Sequence, residues 1–247
     1  MKVYYDLHIH SCLSPCGDED MTPNNIVNMA KLTGLDVIAI SDHNTTGNAE
    51  AVLKVAETVG ITAFAGMELE TAEEIHVLCL FYDLDSAQRF DKEIVAPALP
   101  NVPNRPDIFG RQLLMDEQDR IIGEETRYLI NATSVSIDDL PELLQNYGGI
   151  AIPAHIDKQS KSMLSVFGYI DATMGYRIFE LSQNAPADFV DRHPQIAESL
   201  FLHDTDSHYL ENVGEARGKN FLELNDAKKE TIWNFLLNHI RNEEFLD

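Results

Sequence analysis

The chain has 247 residues, of which 44% are apolar, and carries 41 acidic against 18 basic side chains for a formal net charge of −23. That apolar fraction supplies a buried core and excludes a disordered chain, while the acidic excess argues against nucleic acid and anionic membranes as partners. No apolar run approaches the ~20 residues that span a bilayer, and the N-terminus lacks the apolar stretch of a signal peptide, so a cytoplasmic protein is expected. Residues 3–10 are rich in β-branched and aromatic side chains and read as a strand. Thr22-Pro23 then supplies an N-cap with Pro at the first helical position, Ile26, Val27, Met29, Ala30 and Leu32 follow at helical spacing, and Gly34 closes the element. The continuous apolar run 35–40 predicts a strand buried on both faces. Residues 49–59 form the next helix, ended by Gly60, and 61–65 and 75–81 are further buried strands. This β-α-β-α-β alternation predicts a parallel sheet or barrel, and chains of this length commonly form one such unit.

The alternation breaks at about residues 97–135, which contain Pro97, Pro100, Pro103 and Pro106 and a charged stretch from Asp116 to Asp119. The segment reads as an insertion within a single domain of residues 1–247, and Arg105, Arg111 and Arg127 make it a candidate lid. A helix over 137–147, capped near Ser136, leads through Gly148-Gly149 to a strand at 150–154, with more strand candidates at 176–181, 199–202 and 220–224. A terminal helix is predicted from Asp226 to Asn242, with Ile232, Phe235, Leu236 and Ile240 on one face. The three cysteines, Cys12, Cys16 and Cys79, form no disulfide framework. Cys79 sits in an apolar run as a buried thiol, and no second pair follows Cys12 and Cys16, so a cysteine-based zinc site is not expected.

The chemistry concentrates in Asp6-Leu7-His8-Ile9-His10. Residues two apart on a strand point the same way, so His8 and His10 can present both imidazoles to one cation. Of the nine histidines, six (His8, His10, His43, His76, His155 and His208) fall at predicted strand ends or in the loops just after them. In an α/β barrel such ends gather on one face. Asp42, Glu68, Asp204 and Asp206 share that placement, and mixed imidazole and carboxylate shells suit Zn²⁺, Mn²⁺ or Fe²⁺. Each has a plainer reading: His76 as a hydrogen-bonded core residue, His155 as a strand terminator, Asp42 and Glu180 as supporting or structural partners. His193, His203 and His239 read as ordinary residues. Lys158 and Arg192 are candidates for a phosphate oxygen.

As a set, His8-x-His10, Ser41-Asp42-His43, Gly66-Met67-Glu68, His76, Pro153-Ala154-His155 and Asp206-Ser207-His208 resemble the PHP (polymerase and histidinol phosphatase) family, over residues 3 to about 214. The resemblance implies a distorted (β/α)7 barrel with an inserted segment, two or three divalent transition metals, and hydrolysis of phosphate esters. It implies that His8, His10, Glu68 and Asp206 hold a first metal and that Glu68 bridges to a second held by His76 and His155. His43 and His208 would hold a third, with an acidic residue from the loop after His10. That loop, Ser14-Pro15-Cys16-Gly17-Asp18-Glu19-Asp20, departs from the family's Ser-Asp-Gly pattern; counting back from Thr22-Pro23 favours Asp18, with Asp20 as the rival. Glu68, Asp206 and His208 are then the candidate catalytic residues, acting with a metal-activated hydroxide on a small phosphomonoester or nucleotide-type phosphodiester. The alternatives are a metal-dependent amidohydrolase of C–N bonds and a non-catalytic metal-binding interaction module.

Overall fold

The computed structural model describes residues 1–215 and 218–241. Its first half follows the expected alternation: β1 (Lys2–Ile9), α1 (Pro23–Thr33), β2 (Val37–Ile40), α2 (Ala49–Val59) and β3 (Thr62–Glu70). The local signals act as anticipated. Thr22 accepts from Asn25 N at the start of α1, and Gly34 and Gly60 take left-handed φ of 78° and 74° to end α1 and α2. Strands β1, β2 and β3 pair in parallel.

The parallel rhythm then stops. No helix separates β3 from β4 (His76–Phe81), and the two pair antiparallel, Glu70 opposite His76 and Ala65 opposite Phe81. Five residues are too few for the crossover that parallel pairing requires, so the chain doubles back. The strand predicted to end at Ala65 continues through Glu68, because alternate residues Ala65, Met67 and Leu69 still pack under the helices. Gly66 permits this: a Cβ there would lie 2.9 Å from Cys79 O and 3.1 Å from Ile40 O.

A helical segment that the sequence did not announce follows, made of α3 (Leu84–Phe90), a π-turn (Asp91–Val95) and α4 (Ala96–Ala98). Asp91 in the π-turn accepts from Thr46 N and the Thr45 hydroxyl, which ties the segment to the loop after β2. The region about 97–135 contains α5 (Pro106–Phe109) and a hairpin of β5 (Leu113–Met115) and β6 (Ile121–Glu124). Asn48 bonds Leu113 O and Met115 N, so the hairpin packs on the loops above β1 and β2.

The helix expected over 137–147 is shorter, α6 (Leu140–Asn146), because Pro141 is tolerated only in a first turn. Strand β7 (Gly149–Pro153) pairs antiparallel with β4. After α7 (Met163–Phe167), β8 (Ile178–Glu180), α8 (Phe189–Arg192) and β9 (Leu200–Leu202), strand β10 (Phe221–Glu223) adds antiparallel to the outer edge of β1. The sheet order is β10-β1-β2-β3-β4-β7, with β8 and β9 paired in parallel. Ile156 N donates to Glu180 O, and Ser207 N to His8 O, so β8 and β9 span the open side of the curled half-barrel.

Two cores result. One lies between the sheet and the outer helices. The other fills the curl with Val3, Tyr5, Leu7, Phe64, Leu78 and Ile152, and is closed at one end by Ile232, Trp233 and Leu236 of α9 (Lys229–Arg241). Asp226, the predicted start of that helix, lies before it in irregular chain, and Asn242 lies outside the described residues. No helix among the described residues is long and apolar enough to cross a membrane.

Candidate metal centre

A register shift between Asp6 and Ile9 creates the site. Leu7 lies inside the curl, whereas Ile9, two residues on, packs outside under the helices. The bulge therefore reverses the facing of β1 and turns His8 and His10 inward above Leu7. Glu68 faces the same space from β3, on the face of Phe64. Because β4 runs backwards, its first residue, His76, arrives at the mouth that holds the C-terminal ends of β1, β2 and β3. His43, His155, Asp206 and His208 come from the loops after β2, β7 and β9. Asn44, His155 and Asp206 hold positive φ of 50°, 31° and 53°. For His155 and Asp206 this costs about 1–3 kcal/mol each, which the surrounding contacts must offset.

Glu68 is at the centre, 1% exposed. Its Oε1 lies 2.8 Å from His76 Nδ1, 3.2 Å from His155 Nε2 and 3.3 Å from His8 Nε2; its Oε2 lies 3.1 Å from His43 Nδ1 and 3.4 Å from His10 Nε2. Asp206 Oδ1 is 3.3 Å from both His8 Nε2 and His10 Nε2. Outer hydrogen bonds fix the tautomers. His8 Nδ1 must donate to Glu180 Oε2 at 2.8 Å. The Ser14 hydroxyl donates to Asp42 Oδ1 and accepts from His43 N, so His10 Nδ1 donates to it at 3.0 Å. His208 Nδ1 donates to Asp206 O at 2.7 Å. With their Nδ1 protonated, the neutral rings of His8 and His10 aim Nε2 lone pairs at each other across 3.1 Å and at two carboxylates. Lone pairs converging in a buried space repel unless a proton or a metal cation lies among them. Separations near 3.3 Å are compatible with a shell whose donors would sit ~2.0–2.2 Å from a central ion. The residues present thus fit a metal centre.

The charges agree. Burial by itself lowers the pKa of His8, yet Glu180, Asp206 and Glu68 raise it well above the usual value. Burial by itself raises the Glu68 and Asp206 carboxyls, yet the surrounding imidazoles hold both well below the ordinary range. Burial and neighbouring imidazoles lower His43, and burial and His10 bring His208 down to about 4, which leaves both rings neutral with lone pairs free. A field that draws protons onto His8 draws a divalent cation more strongly.

Among the described residues, three groups have donor atoms within 4.8 Å of one another: His8, His10, Glu68 and Asp206; His43, Glu68 and His76; and His10, Cys16, His43 and His208. Neither Asp18 nor Asp20 joins a group, contrary to the sequence expectation. Both are exposed; Asp18 Oδ1 accepts from Asp20 N, and Asp20 O accepts from Asn25. Asp42 reaches His10 through Ser14 and also binds Ser11. Lys158 Nζ bonds Asp206 Oδ2. Arg192 of α8 pairs with Asp188, and Arg105, Arg111 and Arg127 pair with Asp107, Glu124 and Glu125; none of the four lines the mouth. From the inserted region it is Ile130 that lines the opening, a cavity of about 250 Å³. Sequence reasoning weighed Cys16 only as half of a cysteine pair and set it aside, and it passed over Ser14; the structure brings both beside the imidazoles. Their nearness to His-x-His was the available signal, but spacing alone gives no direction to a loop.

A model of the PHP domain family matches residues 6–226. The 5'-3' exoribonuclease of Haemophilus influenzae is 35% identical over 201 residues, covering 63% of this chain and 69% of that protein. Among solved structures, the lesion-specific endonuclease PfuEndoQ from Pyrococcus furiosus superposes with a TM-score of 0.66 at 19% identity, covering 96% of this chain and 56% of that one. A Bifidobacterium adolescentis protein assigned as a metal-dependent phosphoesterase gives a TM-score of 0.59 at 20% identity, covering 92% of this chain and 95% of that one. Likeness at those identities establishes a shared fold, and the chain spans little more than half the length of the endonuclease.

Proposed function

The chain belongs to the PHP domain family of metal-dependent hydrolases, and from that premise we propose that it cleaves a phosphate ester carried by a nucleotide-type molecule or the end of a short strand. The observation that carries this reading is Glu68, whose two oxygens face five imidazoles at 2.8–3.4 Å. A carboxylate so placed could offer one oxygen to each of two cations. In this reading His8, His10, Glu68 and Asp206 hold one divalent ion, Glu68, His76 and His155 a second, and His43 and His208 contribute to a third. When bound, such ions activate water and neutralise charge on a phosphoryl group.

The chain's own residues do the rest. Glu180 and Ser14 hold His8 and His10 in the tautomers that expose Nε2. Lys158, with 39% of its side chain exposed, stands at the opening against Asp206 and can hold a phosphate oxygen. A second depression of about 740 Å³ shares Lys158, Asp206 and His208 with the mouth and is lined by Gln159, Asn184 and Thr205. Polar lining of this kind suits a sugar next to the phosphate.

The relative named an exoribonuclease narrows the expectation against nucleic acid: strand ends fall within the substrate class. Long duplexes do not, because binding them needs a track of basic side chains, and Lys158 and Lys161 are the basic residues lining the mouth among the described ones. The three cysteines are all unpaired, which supports a reducing compartment such as the cytoplasm.

The test is a phosphate-release screen of metal-loaded protein over nucleotides, short 5'-phosphorylated oligonucleotides, sugar phosphates and simple amides, with Glu68→Gln in parallel. Turnover of nucleotidic phosphates that Glu68→Gln reduces by at least about 10²-fold is expected. Turnover of amides alone would replace this reading with the C–N hydrolase.

A further inference from the structure

We propose that Cys16 is a metal ligand: its thiolate holds the outermost ion together with His43 and His208, in the place where the sequence pattern led us to expect the Asp18 carboxylate. The inference rests on reading the mouth as a metal centre and adds a donor of different chemistry to it.

The loop after His10 delivers residue 16, not 18. Ser14 N donates to Ser11 O and Gly17 N to Ser14 O, two successive tight turns. Gly17 is held so closely that a Cβ there would lie 2.4 Å from Ser11 O. Asp18 N then donates to His208 O, which pins the far side of the loop to the segment carrying His208. Cys16 is fixed between these anchors, and its donor atom lies with those of His10, His43 and His208 inside a 4.8 Å group. The Asp18 carboxylate is occupied with Asp20 N.

Independent observations point the same way. His43 is 4% exposed, and its buried Nδ1, 3.1 Å from Glu68 Oε2, makes no hydrogen bond among the described residues. A buried imidazole nitrogen left without a hydrogen bond is costly unless something outside the protein binds the ring. His208 donates through Nδ1 to Asp206 O and so keeps its Nε2 lone pair, with its ring stacked on His10 at 4.3 Å. The other two thiols are engaged, Cys12 with Leu113 O at 3.9 Å and Cys79 with Val77 O at 3.6 Å. Cys16 makes no such hydrogen bond among the described residues.

His10 does not count towards the outer ion, because its Nε2 faces Glu68 and Asp206 and its Nδ1 is bonded to Ser14. Three ligands remain, one sulfur and two nitrogens. Three protein ligands leave a position open for a substrate oxygen, the pattern of catalytic rather than structural zinc. On binding, the Cys16 thiol proton passes to solvent and the S–metal bond forms, so each ion taken up there releases one proton. A thiolate selects Zn²⁺, Fe²⁺ or Co²⁺ over Mn²⁺ and Mg²⁺. This outer position is therefore the one that discriminates most between metals.

The experiment is cobalt substitution of the full chain, read by near-ultraviolet absorption and metal analysis. Wild-type protein loaded with Co²⁺ gives a sulfur-to-cobalt charge-transfer band. Cys16→Ser loses that band and the tight retention of one metal equivalent while the remaining cobalt stays bound. Cys16→Asp retains the equivalent without the band, and Cys12→Ser keeps the band. Cobalt bound at full stoichiometry with no band in the wild type, or a band that survives Cys16→Ser, overturns the assignment of Cys16 alone. Failure of the wild type to bind cobalt at all overturns the metal-centre reading together with it.

Discussion

The substitution Glu180→Gln isolates how the chain prepares His8 for a cation. Glu180 is fully buried, and its Oε2 accepts the His8 Nδ1 proton at 2.8 Å. The substitution keeps the side chain's length and shape and removes its charge. Two losses follow. The hydrogen bond ceases to be charge-assisted, which lowers the basicity of Nε2. An amide can also present its NH₂ group to Nδ1, which favours the tautomer with a proton on Nε2, where the metal must bind. Supporting carboxylates of this kind are worth about 10–100-fold in metal affinity, or roughly 1.4–2.7 kcal/mol. The loss should be confined to the ion that His8, His10, Glu68 and Asp206 would hold, since among the described residues His76 and His155 pair with Glu68, whereas Glu180 pairs with His8. Competition against a chromophoric chelator, with metal analysis at each step, measures affinity equivalent by equivalent. The expected result is one equivalent weakened by that factor, the others held as in the wild type, and an unaltered circular dichroism spectrum. Wild-type affinity for every equivalent would show that Glu180 does not set the His8 tautomer; equal weakening of all would point to a general loss of structure.

Two further outcomes can be stated. Lys158→Ala should lower kcat/KM for a phosphate ester by about 10-fold, mostly through KM, since a charge-assisted contact on a half-exposed lysine falls at the screened end of its range; steady-state kinetics with a preserved metal content checks this, and an unchanged KM would remove Lys158 from phosphate binding. Leu236→Ala, at a fully buried position of the helix closing the lower end of the curl, should cost about 2–5 kcal/mol and lower Tm by roughly 4–20 °C, with metal bound per folded molecule unchanged; a calorimetric Tm within a degree of wild type would mean that α9 does not seal that core.

Much of the first half of the chain could be read locally. Apolar runs at 35–40 and 61–65 with Thr22, Gly34 and Gly60 at the helix ends suffice because caps and burial patterns act within a few residues. The sequence also carried the donor types, His-x-His above all, since alternate residues on a strand must share a face. Other features depended on contacts between distant segments. Whether β4 runs with or against β3 decides on which end of the sheet His76 emerges, and only the pairing of the two strands decides it. The bulge between Asp6 and Ile9 decides whether His8 faces the curl or the helices, and it exists only in the register of β1 against β2. That Cys16 and not Asp18 lies beside His43 and His208 follows from hydrogen bonds of the loop to Ser11 and to His208, the latter nearly the whole chain away. Periodicity reports on near neighbours in sequence, whereas a cation senses donors within a few ångströms in space, and only the folded chain makes those two neighbourhoods the same.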